Sequence, residues 1–146
     1  MSDGRGTSTP EEPFETAVTR TLRDAGIPFE LSIHAKPAQT VTEAAAQRSM
    51  RPGQLVKTMV LRLPDGSHAA ALVPGDREVD LRLVRGALGV RRLAWVAREE
   101  VEALTGYPPG AVSPVGIVGI AIILADPRLA EAGEVAISSG THGTGV

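Results

Sequence analysis

The nine residues Leu55-Val56-Lys57-Thr58-Met59-Val60-Leu61-Arg62-Leu63 constrain the fold more than any other stretch. They are rich in Leu, Val and Met, hold no glycine or proline, and end at Pro64-Asp65-Gly66-Ser67, a turn sequence. Such a run predicts a strand buried on both faces, turning tightly into a second strand over His68–Val73. Lys57 breaks the pattern. An ammonium in mid-strand must snorkel to water or meet an anionic or polar partner, because an unpaired buried charge is very unfavourable. Taken alone, the strand favours a Lys57 solvated on an open side; the alternative is a lysine projecting into a cleft.

The apolar material for the rest of the core is aliphatic. Of 146 residues 42% are hydrophobic and only 3% aromatic, so Val, Leu, Ile and Ala must build a core of the kind formed by a sheet under helices. One domain is expected over residues 9–146, after a Gly/Ser/Thr-rich tail at 1–8 that can bury nothing and is expected to be disordered. The net charge of −2 supplies no global basic field, which leaves room only for a local patch. With no cysteine, the chain has no disulfide, thiolate metal site or cysteine nucleophile. The first dozen residues are polar, and the most hydrophobic run, Val115–Ala125, falls well short of the ~20 residues of a membrane span. The expectation is a cytoplasmic protein without membrane contact.

Local signals place the other elements. Thr9-Pro10-Glu11-Glu12 reads as a capped helix start, Phe14, Val18 and Leu22 as its buried face, and Gly26 as its end. Phe29–Ile33 alternates as a short strand, and Thr40–Glu43 is a second capping box opening a helix through Arg48. Asp80 and Gly89 bound a helix, Arg91–Val96 is a strand, and Arg98–Leu104 is a helix ended by Gly106. Ile117–Leu124 reads as a strand in which Gly119 signals a bulge or close backbone approach, and Glu134–Ser138 as another. Helices and strands interleave irregularly with at least one hairpin, which predicts a mixed α/β fold.

Standard catalytic signatures are missing. His34, His68 and His142 are scattered without metal-ligand spacing, so no metal or other cofactor is expected. Ser113 lies in Val112-Ser113-Pro114, without the glycines of a nucleophile elbow. Gly110–Gly116 could present backbone N–H donors to a carbonyl oxygen or phosphate, and could equally be an ordinary connection. Gly140–Gly145 carries the same ambiguity. Thr40 with Glu43 reads first as a helix cap.

In chain order the sequence presents His34, Thr40 with Glu43-Ala44-Ala45, Val56-Lys57-Thr58, Val73-Pro74-Gly75-Asp76, Leu104-Thr105-Gly106 and Gly110-Ala111-Val112-Ser113-Pro114-Val115-Gly116. In this order the motifs resemble the YbaK/EbsC family, relatives of the prolyl-tRNA synthetase editing domain, from about Phe14 to Gly143. The resemblance implies an α/β domain with a mixed, mostly antiparallel central sheet and flanking helices. It also implies trans-editing: hydrolysis of the ester in mischarged aminoacyl-tRNA, with small acyl groups such as Ala, Ser or Cys and tRNA-Pro as the carrier. The family's active lysine falls on Lys57, and its acyl-pocket loop on Gly110–Pro114. Lys57, Gly110 and Ser113 are therefore the catalytic candidates. The substrate-binding candidates are His34, Thr40, Thr58, Gly75, Asp76, Ala111, Val112, Pro114, Gly116, Ser139, Gly140 and His142.

The implied partners are the aminoacyl-tRNA acceptor end and prolyl-tRNA synthetase. The implied chemistry needs no protein nucleophile, since a positioned water or the substrate's terminal ribose hydroxyl suffices. The resemblance implies that family members usually continue past the segment matching Gly140–Gly143 with a further strand and an acidic residue, whereas this sequence stops at Val146; if that tail contributes to the pocket or sheet, reduced activity or stability is expected. Two other readings stand beside the deacylase: a non-catalytic module that binds the acceptor end or a synthetase, and a hydrolase or binder of free aminoacyl esters or adenylates. Arg48, Arg51, Arg91 and Arg92 are scattered basic residues suited to contacting the acceptor end alone.

Overall fold

A computed structural model of the chain describes residues 15–33, 41–140 and 144–145. The expected tail at 1–8 and the helix start at Thr9–Glu12 lie outside these residues. The run around Lys57 forms β2, Val56–Arg62, which turns through Pro64–Ser67 into β3, His68–Pro74. Seven antiparallel pairs join them, from Val56 opposite Pro74 to Arg62 opposite His68. The turn closes locally: Leu63 N–H donates to Ser67 O at 2.8 Å, Asp65 Oδ1 accepts from Ser67 N–H at 2.9 Å, and Gly66 takes φ of 90°.

Two short strands complete the sheet. β4, Ala94–Trp95, pairs antiparallel with the Leu61–Arg62 end of β2, and β5, Ile122–Ala125, runs parallel to β3. The order is β4-β2-β3-β5, a mixed sheet with two antiparallel pairs and one parallel pair. A separate two-residue ladder joins β1, Ser32–Ile33, to β6, Thr144–Gly145.

Side chains of directly opposed residues share a face. Lys57, Met59 and Leu61 therefore lie with Val73, Ala71 and Ala69 on one side of the sheet. Helix α3, Leu81–Leu88, covers that side: Val84 packs with Leu61 and Ala71, flanked by Leu81, Leu88 and Leu124. On the other side Val60 and Ala70 are also buried, so the sheet is closed on both faces at its middle. A second cluster forms around Val18 and Leu22 of α1, Ala17–Asp24, with Tyr107, Val112, Val115 and Ile137 packed against it.

The helix ends follow their caps. Asp80 accepts from Arg82 N–H at 3.0 Å, and Gly89 closes α3 with φ of 68°. Helix α2 spans Val41–Gln47, and α4, Arg98–Thr105, ends at Gly106 with φ of 84°.

Five expectations change. The strand expected over Phe29–Ile33 shortens to Ser32–Ile33, paired only with Thr144–Gly145. The helix that carries Val18 and Leu22 begins at Ala17, because Thr16 in extended conformation caps it and exchanges hydrogen bonds with Thr19. The strand expected over Arg91–Val96 shortens to Ala94–Trp95, paired only with the end of β2. The strand expected from Ile117 begins at Ile122, because Gly116 and Gly119 at φ of 71° and 77° turn the chain first. Glu134–Ser138 is reduced to a single parallel bridge, Ala136 with Leu55.

Candidate active site

That single bridge builds the site. Val56 N–H donates to Ala136 O at 2.8 Å and Ala136 N–H to Gln54 O at 2.9 Å, so Ala136 is held beside Leu55, next to the start of β2. Ser138 then leaves the sheet: its hydroxyl donates to Ala111 O at 2.8 Å and accepts from Gly140 N–H at 3.0 Å. The loop Gly110–Gly116 is thereby tied to the segment that flanks the Lys57 strand.

Within the loop, Ala111 N–H turns back to Pro108 O at 3.0 Å, and Gly110 holds φ of 84°. Ser113 is fully buried, and its Oγ accepts from Val115 N–H at 3.3 Å across Pro114. Its hydroxyl thus shapes the loop. Among the described residues the N–H groups of Gly110, Val112 and Ser113 have no acceptor. Three donors without an acceptor among the described residues, within four positions of one loop, are suited to an oxyanion or phosphate.

Behind the loop stands Tyr107, which the sequence reading passed over. Its hydroxyl donates to Val115 O at 2.5 Å, and burial pushes its pKa up. A Cβ on Gly116 would lie 2.9 Å from that hydroxyl, and one on Gly140 would lie 2.8 Å from the ring. Both positions therefore need glycine, because the Tyr107 wedge leaves no room beside them. The available signal was that Tyr107 is the only tyrosine and directly follows Thr105-Gly106.

Lys57 is the other candidate group. Its Nζ lies 3.6 Å from Glu78 Oε2, with a quarter of the lysine side chain exposed and Glu78 almost fully solvated. Such a pair holds the ammonium weakly, so an anionic or carbonyl ligand can displace the carboxylate. Glu78, with Val73, Val79, Leu83, Val84 and Leu124, also lines a cavity of about 320 Å³ between the sheet and α3. No hydrogen bond or ion pair joins Lys57 directly to the Gly110 loop among the described residues.

Thr58, on the face opposite Lys57, buries its Oγ1 without a partner among the described residues. An unsatisfied buried hydroxyl costs about 1–3 kcal/mol, which a ligand acceptor would relieve.

The remaining candidates divide. Gly75 has committed its N–H to Leu55 O at 2.7 Å, while Asp76 is exposed beside Gly53, whose added Cβ would meet its carboxylate at 3.4 Å. Ser139 is fully buried next to Gly140. His34, Thr40 and His142 lie outside the described residues, and His68 begins β3 at the opposite end from Lys57. Among the described residues no group of three or more His, Cys, Asp or Glu could hold a metal ion, and no helix is long and apolar enough to cross a membrane.

Comparison with known proteins bears on the family and the fold. The family model for the aminoacyl-tRNA editing domain matches residues 35–146. The proline--tRNA ligase of Nitratidesulfovibrio vulgaris is 39% identical over 92 residues, covering 63% of this chain and 16% of the ligase. That of Oleidesulfovibrio alaskensis is 32% identical over 118 residues, covering 81% of this chain and 20% of the ligase. The chain thus spans at most about a fifth of the length of these relatives. Among solved structures, a candidate trans-editing enzyme for prolyl tRNA synthetase superposes with a TM-score of 0.78 at 27% identity, covering 91% of this chain and 86% of that one. A protein described only as hypothetical superposes at 0.82 with 28% identity, covering 89% and 86%. With the matched family model spanning most of its length and the fold shared with a candidate trans-editing enzyme, the chain belongs to the aminoacyl-tRNA editing domain family.

Proposed function

We propose that the protein is a trans-editing deacylase that hydrolyses the ester joining a small amino acid to the 3′-terminal ribose of a mischarged tRNA, with tRNA-Pro as the carrier. The observation that carries this reading is the Leu55–Ala136 bridge continued by the Ser138–Ala111 hydrogen bond, which holds a loop of unsatisfied N–H donors beside the Lys57 strand. Lys57 exchanges Glu78 for the substrate and orients the ester carbonyl or the terminal phosphate. The Gly110, Val112 and Ser113 amides stabilise the negative charge that develops on the carbonyl oxygen.

The attacking oxygen comes from water, oriented by the loop or by the neighbouring ribose hydroxyl. It bonds to the carbonyl carbon, the carbon–ribose oxygen bond breaks, and the proton lost by water passes to the departing ribose oxygen. The products are a free amino acid and an uncharged tRNA. No cysteine is available as a nucleophile, and Ser113 Oγ is held in the loop turn. Association with prolyl-tRNA synthetase would bring the protein to its substrate, in keeping with the ligase relatives that contain a matching segment.

The test is incubation with tRNAs carrying Ala, Ser, Cys, Thr or Pro, with Lys57→Ala as control. Loss of one or two small acyl groups, dependent on Lys57, is expected. Binding of tRNA with every ester intact would replace the deacylase with an acceptor-end binding module. Hydrolysis of free aminoacyl esters that ignores tRNA would point to a small-molecule hydrolase.

A further inference from the structure

From Leu81 to Arg98 the sequence carries five arginines, at 82, 85, 91, 92 and 98, and no aspartate or glutamate, in a chain whose net charge is −2. Elsewhere four arginines are partnered, Arg20 and Arg23 with Glu15, Arg62 with Glu100 and Arg128 with Asp126, whereas Arg51 and Arg77 form no ion pair among the described residues. Among the described residues none of these five forms an ion pair. A run of guanidinium groups with no acidic residue between them is a local positive field suited to an anionic partner.

The fold gathers four of them at one edge. On α3, Leu81, Val84 and Leu88 face the core, while Leu83 and Ala87 border the cavity on the side of β5. At about 3.6 residues per turn, Arg82 and Arg85 fall on the opposite flank of that apolar stripe, toward β2 and β4. Arg91 and Arg92, both exposed, lie between α3 and β4. Trp95, opposite Leu61 in the register, is on the same sheet face as α3 and is 48% exposed. It is the only tryptophan of the chain, and a half-exposed indole at a sheet edge offers a stacking surface.

We propose that this edge is an RNA-docking platform, in which Arg82, Arg85, Arg91 and Arg92 contact phosphates and Trp95 stacks on an unpaired base of the tRNA acceptor end. The proposal rests on the deacylase reading for the identity of the RNA. Arginine supplies bidentate, planar contacts to phosphate, and an aromatic face accepts any base. The placement fits a substrate whose ester end reaches Lys57. Lys57 and Leu61 share a face four residues apart, so the platform begins about 13 Å along the strand from the lysine.

The sole tryptophan makes the test direct. Titration of the whole protein with an uncharged acceptor-stem hairpin carrying an unpaired 3′ end is expected to quench Trp95 fluorescence. The same hairpin without the overhang should quench it much less. Arg82→Gln with Arg85→Gln should weaken binding at least about tenfold and lower the slope of log affinity against log salt by about 1.5. By anisotropy of labelled RNA, Trp95→Ala should weaken the overhang hairpin about tenfold and leave the blunt one unchanged.

Unaltered affinity in these variants, or absent quenching during RNA binding, overturns the platform even if the wild type deacylates. Equal binding and quenching by heparin also overturns it, because the patch would then attract any polyanion. Conversely, a wild-type protein that binds the overhang through Trp95 but hydrolyses no ester sinks the deacylase reading and keeps the platform.

Discussion

The hydroxyl of Ser138 donates to the carbonyl oxygen of Ala111 across 2.8 Å, joining two segments 27 positions apart. Ala111 is buried, so its carbonyl has no water to turn to if the hydroxyl is removed. The same oxygen of Ser138 receives the amide of Gly140, so one side chain fixes the donor loop and the glycine turn together.

Ser138→Ala should therefore destabilise the fold by about 1–3 kcal/mol, the cost of a buried acceptor left unpaired. Deacylation should fall more than stability alone explains, because the loop loses its anchor. Urea denaturation and single-turnover hydrolysis, measured on the same sample, check both. A variant with wild-type turnover would detach the loop from the chemistry.

Lys57→Ala should lower hydrolysis at least about a hundredfold, the scale of losing one charge-stabilising contact in a closed site. Its stability should stay within about 1 kcal/mol of the wild type, since the lysine's ion pair among the described residues is with a solvated carboxylate. A denaturation midpoint that collapses with activity would make Lys57 structural instead. Glu78→Gln is the companion variant, and hydrolysis should survive it.

Gly119→Ala tests the approach of the loop to α4. A Cβ at Gly119 would run into the carbonyl oxygen of Leu104, and the backbone already sits at φ of 77°. Strain and collision together should cost about 2 kcal/mol or more. Gly133→Ala, at φ of 79° with no atom near the added methyl, should be milder. Equal effects of the two on the melting temperature would dismiss the collision.

Acid stability should depend on Asp126. The Arg128 guanidinium hydrogen bonds to this carboxylate at 2.7 Å and 3.0 Å and holds its pKa below the ordinary value. With the folded pKa depressed, the stabilisation is fully present above the unfolded carboxylate pKa of about 3.9 and is lost as pH falls through the folded value. The melting temperature should thus drop below about pH 4, and Asp126→Asn should flatten that part of the profile. Superimposable profiles would show the ion pair to be irrelevant to folding.

Much of this was legible because it is local. Asp80 and Gly89 mark the ends of α3 within a few residues of the contacts that satisfy them, as Gly106 does for α4. Pro64–Ser67 closes a hairpin whose register follows once the turn forms. The strand around Lys57 announces itself by an unbroken apolar run, and the ordered motifs from Val56-Lys57-Thr58 to Gly110–Gly116 point to the editing family that the matched family model shows.

The tertiary structure decided how those motifs meet. A strand reduced to one bridge at Ala136 has no periodic signature, since its partner at Leu55 lies 81 positions earlier. Nothing near Ser138 indicates Ala111, and nothing near Glu78 indicates Lys57, because each contact exists only after the sheet has closed. Gly116 and Gly140 look alike as loop glycines until Tyr107 stands against both. Sequence fixes what each short segment prefers, through caps, turns and apolar runs. Which donors remain free, and which cation faces a displaceable partner, is settled by packing between residues that are distant along the chain.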